Sequence, residues 1–420
     1  MKKADNALRV GGVGTGRIFQ WAHMRVYPPL LSKARLVGFH DKILARAEEA
    51  RDKYATMLQG HAANEPGAAD AVRSNLARLR CYDSLDALLD QVDIIDICTT
   101  PRAKMPAVTA ALGRGVHSMV EKPMARTWIE ADRAVRAFSA SPHVYCQLND
   151  DNVFEPKYRV LRDLLGQGAI GGVQSMWLIR GSPLTATSVL KSQADPLENG
   201  GGCLMDYGSH GLAGAWYALG THLKPTRVEA ASIAVRYPDR ILEGEPFGLQ
   251  VDDDAHVKVL FENPHSGSWT TLFLEATWCG GEIGATEHKS GGQASGYLRI
   301  EGDEGAIDAS EKDRITITRW DGDETVVPLA EHPPESTSFS HEIEGFIDAV
   351  RTGTPPDIDV RFGAEIIAII GAAYLSALRR RAVTLDEFKE LSRGYVERHG
   401  DNENAEEAII ADLLGPYRGK

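Results

Sequence analysis

The strongest constraint on the fold of this chain is a repeated pattern, in which an apolar strand meets a tight turn, a helix follows, and another apolar strand begins. It starts at Leu8 in "LRVGGVGTGRIFQWAH" and recurs through "ARLVGFHD", "LRCYD", "VDIIDICTTP", "VHSMVEKP" and "VYCQLND". Helical stretches such as "DSLDALLDQ", "KMPAVTAALGRG" and "TWIEADRAVRAFSA" lie between those strands. Nearly continuous apolar strands are buried on both faces, which requires crossover helices on either side of a parallel sheet. The expectation is therefore an α/β protein whose residues 1–148 form a doubly wound Rossmann sheet, with ligands at the carboxyl ends of its strands. Residues 59–74, "QGHAANEPGAADAVRS", read as an inserted loop.

The glycine turn points to a dinucleotide. Gly14 and Gly16 fit the first two positions of G-x-G-x-x-G, where missing side chains allow a tight turn and close approach of a pyrophosphate to a helix N-terminus. Phe19 takes the third position, usually Gly or Ala, so the packing of this helix on its strand must differ. The second strand ends in Asp41, 22 residues beyond Phe19, where a carboxylate can accept hydrogen bonds from ribose hydroxyls and repel a 2'-phosphate. NAD is thus favoured over NADP, although neighbouring Lys42 leaves NADP open. The expected cofactor contacts are Gly14, Thr15, Gly16, Arg17, Ile18, Asp41, Thr99, Thr100, Pro101, Glu121, Lys122 and Asn149.

From about residue 149 to 420 the rhythm changes. "GGVQSMWLIRGS", "TRVEAASIAVRYP", "DDAHVKVLFENP", "SWTTLFLEATW", "GYLRIEGDEGAIDAS" and "DRITITRW" predict a second α/β domain with a large open, mainly antiparallel sheet. "GGGCLMDYGSH", residues 200–210, precedes most of that sheet and reads as a helix with Met205, Leu212, Trp216 and Leu219 on one face and Gly220 as its stop. Asp206 and His210 lie off that stripe, about one turn apart. Three readings fit the pair. A metal site would need a third ligand, which no H-E-x-x-H, H-x-H or cysteine cluster supplies nearby, so no metal is expected. The pair could equally form a solvated helix face, or perform acid/base chemistry with a histidine titrating near neutrality. The aspartates at 252–254 read as a turn leading into a strand, and His341, beside Glu342, as a helix cap or a residue in solvent.

Composition narrows the partners. Asp and Glu number 59 against 46 Lys and Arg, a formal charge of -13, which disfavours nucleic acid or an anionic membrane as the main partner. Five cysteines, widely spaced and without C-x-x-C, fit a reducing compartment. "MKKADNALRVGG" has no apolar run behind its lysines, and "IIAIIGAAYLSAL" is short for a bilayer. A soluble cytoplasmic protein is expected. The apolar stripe in "RHGDNENAEEAIIADLLGPYRGK" suggests docking to a partner surface, and the glycine-rich stretch from "GGEIGATEHKSGGQASG" reads as a lid or an arm toward a neighbouring subunit.

The combination of "GVGTGRI", "CTTP", "EKP" after a strand and "GGGCLMDYGSH" closely resembles the Gfo/Idh/MocA family, the glucose-fructose oxidoreductase and inositol dehydrogenase group. The likeness extends over nearly the whole chain, including "FEPKYRVLRDLLGQGAIGGV", "DDDAHVKVLFEN", "YLRIEGDEGAI" and "HEIEGFIDAVRTGTPP". It implies a Rossmann domain joined to an α/β domain whose open sheet often forms a homo-oligomer interface, giving a dimer or tetramer. It also implies that Lys122, Asp206 and His210 face the nicotinamide and a sugar or cyclitol, with Asn149, Glu155 and Tyr207 as further substrate contacts. Met105 stands where a histidine is common in the family, and Ala213 where an acid is often found.

The chemistry agrees with that implication. Oxidising a secondary alcohol sends a hydride from carbon while a proton leaves oxygen, so a cation near the oxygen stabilises alkoxide character. Lys122 is placed for that role, His210 for general base, and Asp206 for holding the imidazole or a second hydroxyl; which of the three moves the proton stays open. The expected activity is NAD-dependent oxidation of a ring hydroxyl of a sugar, sugar acid, cyclitol or glycoside. The alternatives are glycoside cleavage through a transient ketone with NAD regenerated, and a non-catalytic NAD/sugar sensor.

Overall fold

The structure, a computed structural model, describes residues 6–181, 190–279, 297–329 and 337–415. Two compact units divide the chain: Met1–Met124, Ala131–Asp151 and Pro334–Gly363 form the first, and Ala125–Glu130, Asn152–Pro333 and Ala364–Lys420 the second. The first unit is thus discontinuous, and the segment containing Glu342 belongs to it.

Six parallel strands build the first unit: β1 (Leu8–Val13), β2 (Ala34–His40), β3 (Arg80–Tyr82), β4 (Ile94–Ile97), β5 (His117–Glu121) and β6 (Cys146–Asn149). Their order is β3-β2-β1-β4-β5-β6, as expected of a Rossmann sheet. The order reverses between β1 and β4, which makes the crevice at their carboxyl ends the natural ligand position. Residues 59–74 are a correction to the expected loop. Leu44–Asn64 is one long helix and Ala69–Leu76 another, separated only by a short turn at Pro66–Ala68. Alanine-rich flanks favour helix on both sides, so Pro66 and Gly67 mark a joint between helices. Helix Ser338–Thr352 adds Ile343, Phe346 and Ile347 to the core that contains Val10, Phe19 and Phe39.

The second unit carries β7 (Val173–Gly181), β8 (Lys224–Ala234), a hairpin of β9 (Asp239–Leu242) and β10 (Glu245–Gly248), β11 (Asp254–Glu262), β12 (Trp269–Thr277), β13 (Leu298–Gly302), β14 (Gly305–Asp308), β15 (Arg314–Arg319), β16 (Glu324–Pro328) and β17 (Val383–Thr384). Nine of these make one sheet, ordered β16-β15-β14-β13-β7-β12-β11-β8-β17. Only β7 and β12 pair in parallel; the other neighbours are antiparallel, matching the expected mainly antiparallel sheet. Ala255, Val257, Val259 and Phe261 point from β11 into the core, while Lys258 lies on the opposite face. On that outer face Trp177 and Phe273 stack at 5.4 Å between ring centroids, and Trp269 is 50% exposed.

Two other expectations are corrected here. "IIAIIGAAYLSAL" lies in a 20-residue helix, Val360–Arg379, long and apolar enough to cross a membrane, yet its most apolar window is 78% buried by the protein itself. The apolar stripe of the tail is likewise covered: Ala405, Ile409, Ile410, Leu413 and Leu414 of helix Glu403–Leu414 are buried in the chain's own fold. The stretch 280–296, read as a lid or arm, lies outside the described residues.

Candidate active site

In the first unit, β1 delivers the chain into a glycine turn. Gly14 has φ of 78°, and a Cβ there would stand 2.8 Å from the Thr99 backbone nitrogen. Only glycine permits that approach. Nothing lies within 4 Å of a Cβ built on Gly16, which leaves this side of the turn open to a ligand. The Phe19 departure is resolved by reciprocity. Its buried ring fills the space that a Gly12 side chain would need and packs edge-on against Phe39 at 6.3 Å. Instead of a regular α-helix, Phe19–His23 is a single π-helical turn followed by a 3-10 turn at Met24–Val26.

Asp41 ties this turn down. Its two oxygens accept from the Thr15 and Ile43 backbone N–H groups, both at 2.9 Å. A carboxylate has lone pairs beyond those two, so ribose hydroxyls can still be accommodated. Arg17 is exposed and Ile18 half-buried. Thr99 and Thr100 end the β4 segment, and Pro101 begins helix Pro101–Leu112. Asn149 is fully buried; its Oδ1 accepts from Gln147, while its Nδ2 has no hydrogen-bond partner among the described residues. An orphan donor at the carboxyl end of β6, on the same end of the parallel sheet as the open glycine turn after β1, suits a bound polar group, and this donor set fits a nicotinamide dinucleotide.

Lys122 follows β5, and its backbone N–H donates to the Asn149 carbonyl at 3.0 Å. Sequence reasoning missed what fixes this strand end. Lys104 is 2% exposed, and its ammonium group donates to the carbonyls of Lys122 and Pro123, each at 2.9 Å. Met105, in the position where a histidine is common, is buried beside it. The Glu121 carboxylate accepts from the His23 ring at 3.0 Å.

In the second unit, the three glycines have individual causes. Gly200 has φ of 78° and lies against the Arg126 backbone, Gly201 against the Tyr374 hydroxyl, and Gly202 against the Asp252 carbonyl, so a methyl group on any of them would overlap its neighbour. Asp252 organises the segment that follows. Its carboxylate accepts from the backbone N–H groups of Gly202 and Leu204 at 2.9 and 2.8 Å, the Cys203 thiol at 3.2 Å and the Tyr374 hydroxyl at 2.5 Å. The next five residues, Leu204–Gly208, form a π-helical turn that continues into helix Ser209–Leu219, with Gly220 at its end. Asp206 and Tyr207 belong to the turn and His210 to the helix; all three are half-buried. The Asp206 carboxylate accepts from the Trp278 indole at 3.2 Å, while Ala213 is buried. Glu155 is half-buried at the start of helix Pro156–Gly166. Asp252 and the bend at Asp253 do lead into β11, which begins at Asp254, with Asp253 holding the backbone of Arg236 and Tyr237. The sequence signal for Asp252 was only its place in an acidic run.

The Arg126 segment that touches Gly200 contains a buried ion triad. Arg126 is shared by Glu130 at 2.5 Å and Glu406 at 2.8 Å. Burial pushes Glu130 up to about 7; Arg126 opposes that, while the Glu406 charge adds to it. The folded state then binds more protons than the unfolded one between about 4.5 and 7, so stability is highest at the acid end and falls as pH rises through that window. We expect Glu130→Gln to flatten this fall, worth on the order of 3 kcal/mol. Thermal unfolding of both proteins across the window checks it.

Sequence comparison follows the same two halves. Residues 8–148 match the oxidoreductase family with an NAD-binding Rossmann fold, and residues 158–307 match the GFO/IDH/MocA C-terminal domain. A D-xylose 1-dehydrogenase (NADP(+)) of Haloferax volcanii is 26% identical over 363 residues, covering 83% of this chain and 97% of the relative. Among solved structures, an oxidoreductase domain protein from Kribbella flavida has a TM-score of 0.71 at 18% identity, covering 90% of this chain and 99% of its own. A levoglucosan dehydrogenase complex with NADH and levoglucosan has the same TM-score at 20% identity, with 90% and 99% coverage. At these identities the structural likeness concerns the fold. The two consecutive family matches go further: this chain belongs to the GFO/IDH/MocA family of NAD(P)-dependent oxidoreductases.

Proposed function

We propose that this protein oxidises a ring secondary alcohol of a sugar, sugar acid, cyclitol or glycoside, passing the hydride to NAD. The observation that carries the reading is the pairing of an open glycine turn, fastened by Asp41, with a strand end at Lys122 whose backbone is held by a buried lysine. When bound, the nicotinamide supplies the hydride acceptor. Gly14, Thr15, Gly16, Arg17 and Ile18 would cradle the pyrophosphate, Asp41 would receive the ribose, and Thr99, Thr100, Pro101, Glu121 and Asn149 would line the remainder. Lys122 supplies positive charge to the reacting oxygen, His210 takes the proton, and Asp206, braced by Trp278, orients the imidazole or a neighbouring hydroxyl. Asn149, Glu155 and Tyr207 are the proposed substrate contacts. The xylose and levoglucosan dehydrogenases among its relatives support a carbohydrate substrate. Asp41 favours NAD, whereas the NADP(+) in the first relative's name makes a parallel assay necessary.

A panel of polyols, aldoses and glycosides assayed with NAD and NADP is expected to give reduced nicotinamide with at least one free alcohol, and faster with NAD. Glycoside cleavage without net reduced cofactor would replace this reading with redox-neutral elimination. Binding of NAD and sugar without turnover across the panel would make the protein a sensor.

We also place the protein in the cytoplasm as a dimer or tetramer. Five free cysteines suit a reducing compartment, and the outer sheet face exposes Trp269 and Phe273. Replacing both with Glu is expected to lower the assembled mass in light scattering; an unchanged mass would remove this face as the interface.

A further inference from the structure

Within the first unit, the Glu121 side chain leads into a buried polar cluster. His23, Asp96 and Glu342 are all fully buried. His23 offers Nδ1 to Asp96 at 2.8 Å and Nε2 to Glu121 at 3.0 Å, and Tyr27 donates to the other Asp96 oxygen at 2.7 Å. Both imidazole nitrogens face carboxylates, so the ring donates at both ends only as an imidazolium. Glu342 comes from helix Ser338–Thr352, and one of its oxygens lies within 4.8 Å of both the His23 and Glu121 ligand atoms. Neither of its carboxyl oxygens has a hydrogen-bond partner among the described residues. The nearby Gln147 amide donates to the Glu342 backbone carbonyl instead. The cap expected of His341 is supplied by Thr337 instead, His341 is half-buried, and its neighbour Glu342 is buried.

Three carboxyl groups surround one imidazolium. Ionising all three in so buried a site would leave Glu342 an unpaired charge near another carboxylate, which is among the costliest arrangements in a protein interior. We propose that Glu342 is a neutral carboxylic acid in the working enzyme, and that this uncharged neighbour of Glu121 is a positioning device for the strand end bearing Lys122. This function rests on the dehydrogenase reading; the protonation state does not.

The electrostatic surroundings agree. Burial and then the Glu121 charge push Glu342 well above the usual carboxylate range; His23 opposes this, and Asp151 and Asp150 reinforce it. Burial would also raise Glu121, but the His23 hydrogen bond and charge, with Lys104 and Lys122, hold it below its ordinary value. The two acids thus separate into a proton holder and an anion. As pH rises far enough to ionise Glu342, two neighbouring carboxylates repel one another beside the His23–Glu121 contact. The strand end should then shift and turnover decline.

Infrared spectroscopy of the protein without cofactor or substrate tests the proton directly. In a Glu130→Gln background, which removes the other raised buried carboxyl group, the carbonyl stretch of a protonated carboxylic acid should be present at neutral pH, absent when Glu342→Gln is added and retained when Glu344→Gln is added instead, a half-buried acid on the same helix paired with Lys33. No such band, or its survival in Glu342→Gln, overturns the neutral acid. Saturable zinc binding that disappears in Glu342→Gln would also overturn it, by making the cluster a metal site. For positioning, Glu342→Leu should lower kcat by about tenfold or more, and Glu342→Gln should recover part of that loss without the wild-type decline at alkaline pH. A Glu342→Gln profile parallel to wild type overturns the positioning role. Loss of turnover in every sample with the band intact would instead count against the dehydrogenase reading.

Discussion

Lys122→Ala and His210→Ala are each expected to reduce kcat/KM by about 10²- to 10⁴-fold while NAD affinity remains near normal. The reasoning is electrostatic. As the alcohol loses hydride, its oxygen sheds a proton, and the barrier depends on where charge rests at that instant. Removing the ammonium group withdraws charge stabilisation at the oxygen, and removing the imidazole withdraws the proton acceptor. Neither change touches the glycine turn, Asp41 or the buried Asn149, so fluorescence titration with NADH should separate binding from chemistry. The double variant should be little worse than the weaker single one, because groups that act together do not contribute additively. Undiminished rates in both single variants would refute the assigned roles.

Gly202→Ala is expected to be the most damaging single methyl in the second unit, lowering its melting temperature by on the order of 10 °C. A Cβ at this position meets the backbone of Asp252, including its carbonyl oxygen, and backbone cannot swing aside as a side-chain tip can. Relief requires the start of the π-helical turn to move away from Asp252. That separates its carboxylate from the Gly202 and Leu204 N–H groups and displaces Asp206 two residues later. Gly16→Ala is the control. Nothing surrounds its added methyl, so it should leave unfolding unchanged and weaken NAD binding instead. Calorimetry and NAD titration of the two variants should give opposite patterns; similar melting curves would show that the Asp252 contact is not a rigid constraint.

The Rossmann order was legible because buried parallel strands leave an unbroken apolar record, as in "VDIIDICTTP", and because glycine at 14 has a local steric cause. The outer sheet was legible from alternation in "DDAHVKVLFENP". Contacts across long stretches of sequence were not. Asp252 meets Gly202 and Tyr374 across separations of 50 and 122 residues, and no spacing rule encodes such a meeting. Lys104 read as a helix residue until its ammonium group was found on two carbonyls. Glu342 carried the period of an amphipathic helix with an acid at an inward position, a local conflict of the kind that marks functional or strained sites. In the 59–74 segment the difference is local: Pro66 and Gly67 interrupt the chain only briefly, and the helix-forming residues on either side carry it as helix.

The ring of Phe19 and the bare backbone of Gly12 amount to bulk moved from one side of an interface to the other. Restoring the usual small residue at position 19 alone would therefore open a void beneath the first strand, and enlarging position 12 alone would drive a side chain into an occupied space. Only a paired exchange would preserve the volume. The two positions should consequently drift together in related sequences, so that a scan for the third glycine alone would pass over chains built on this same arrangement.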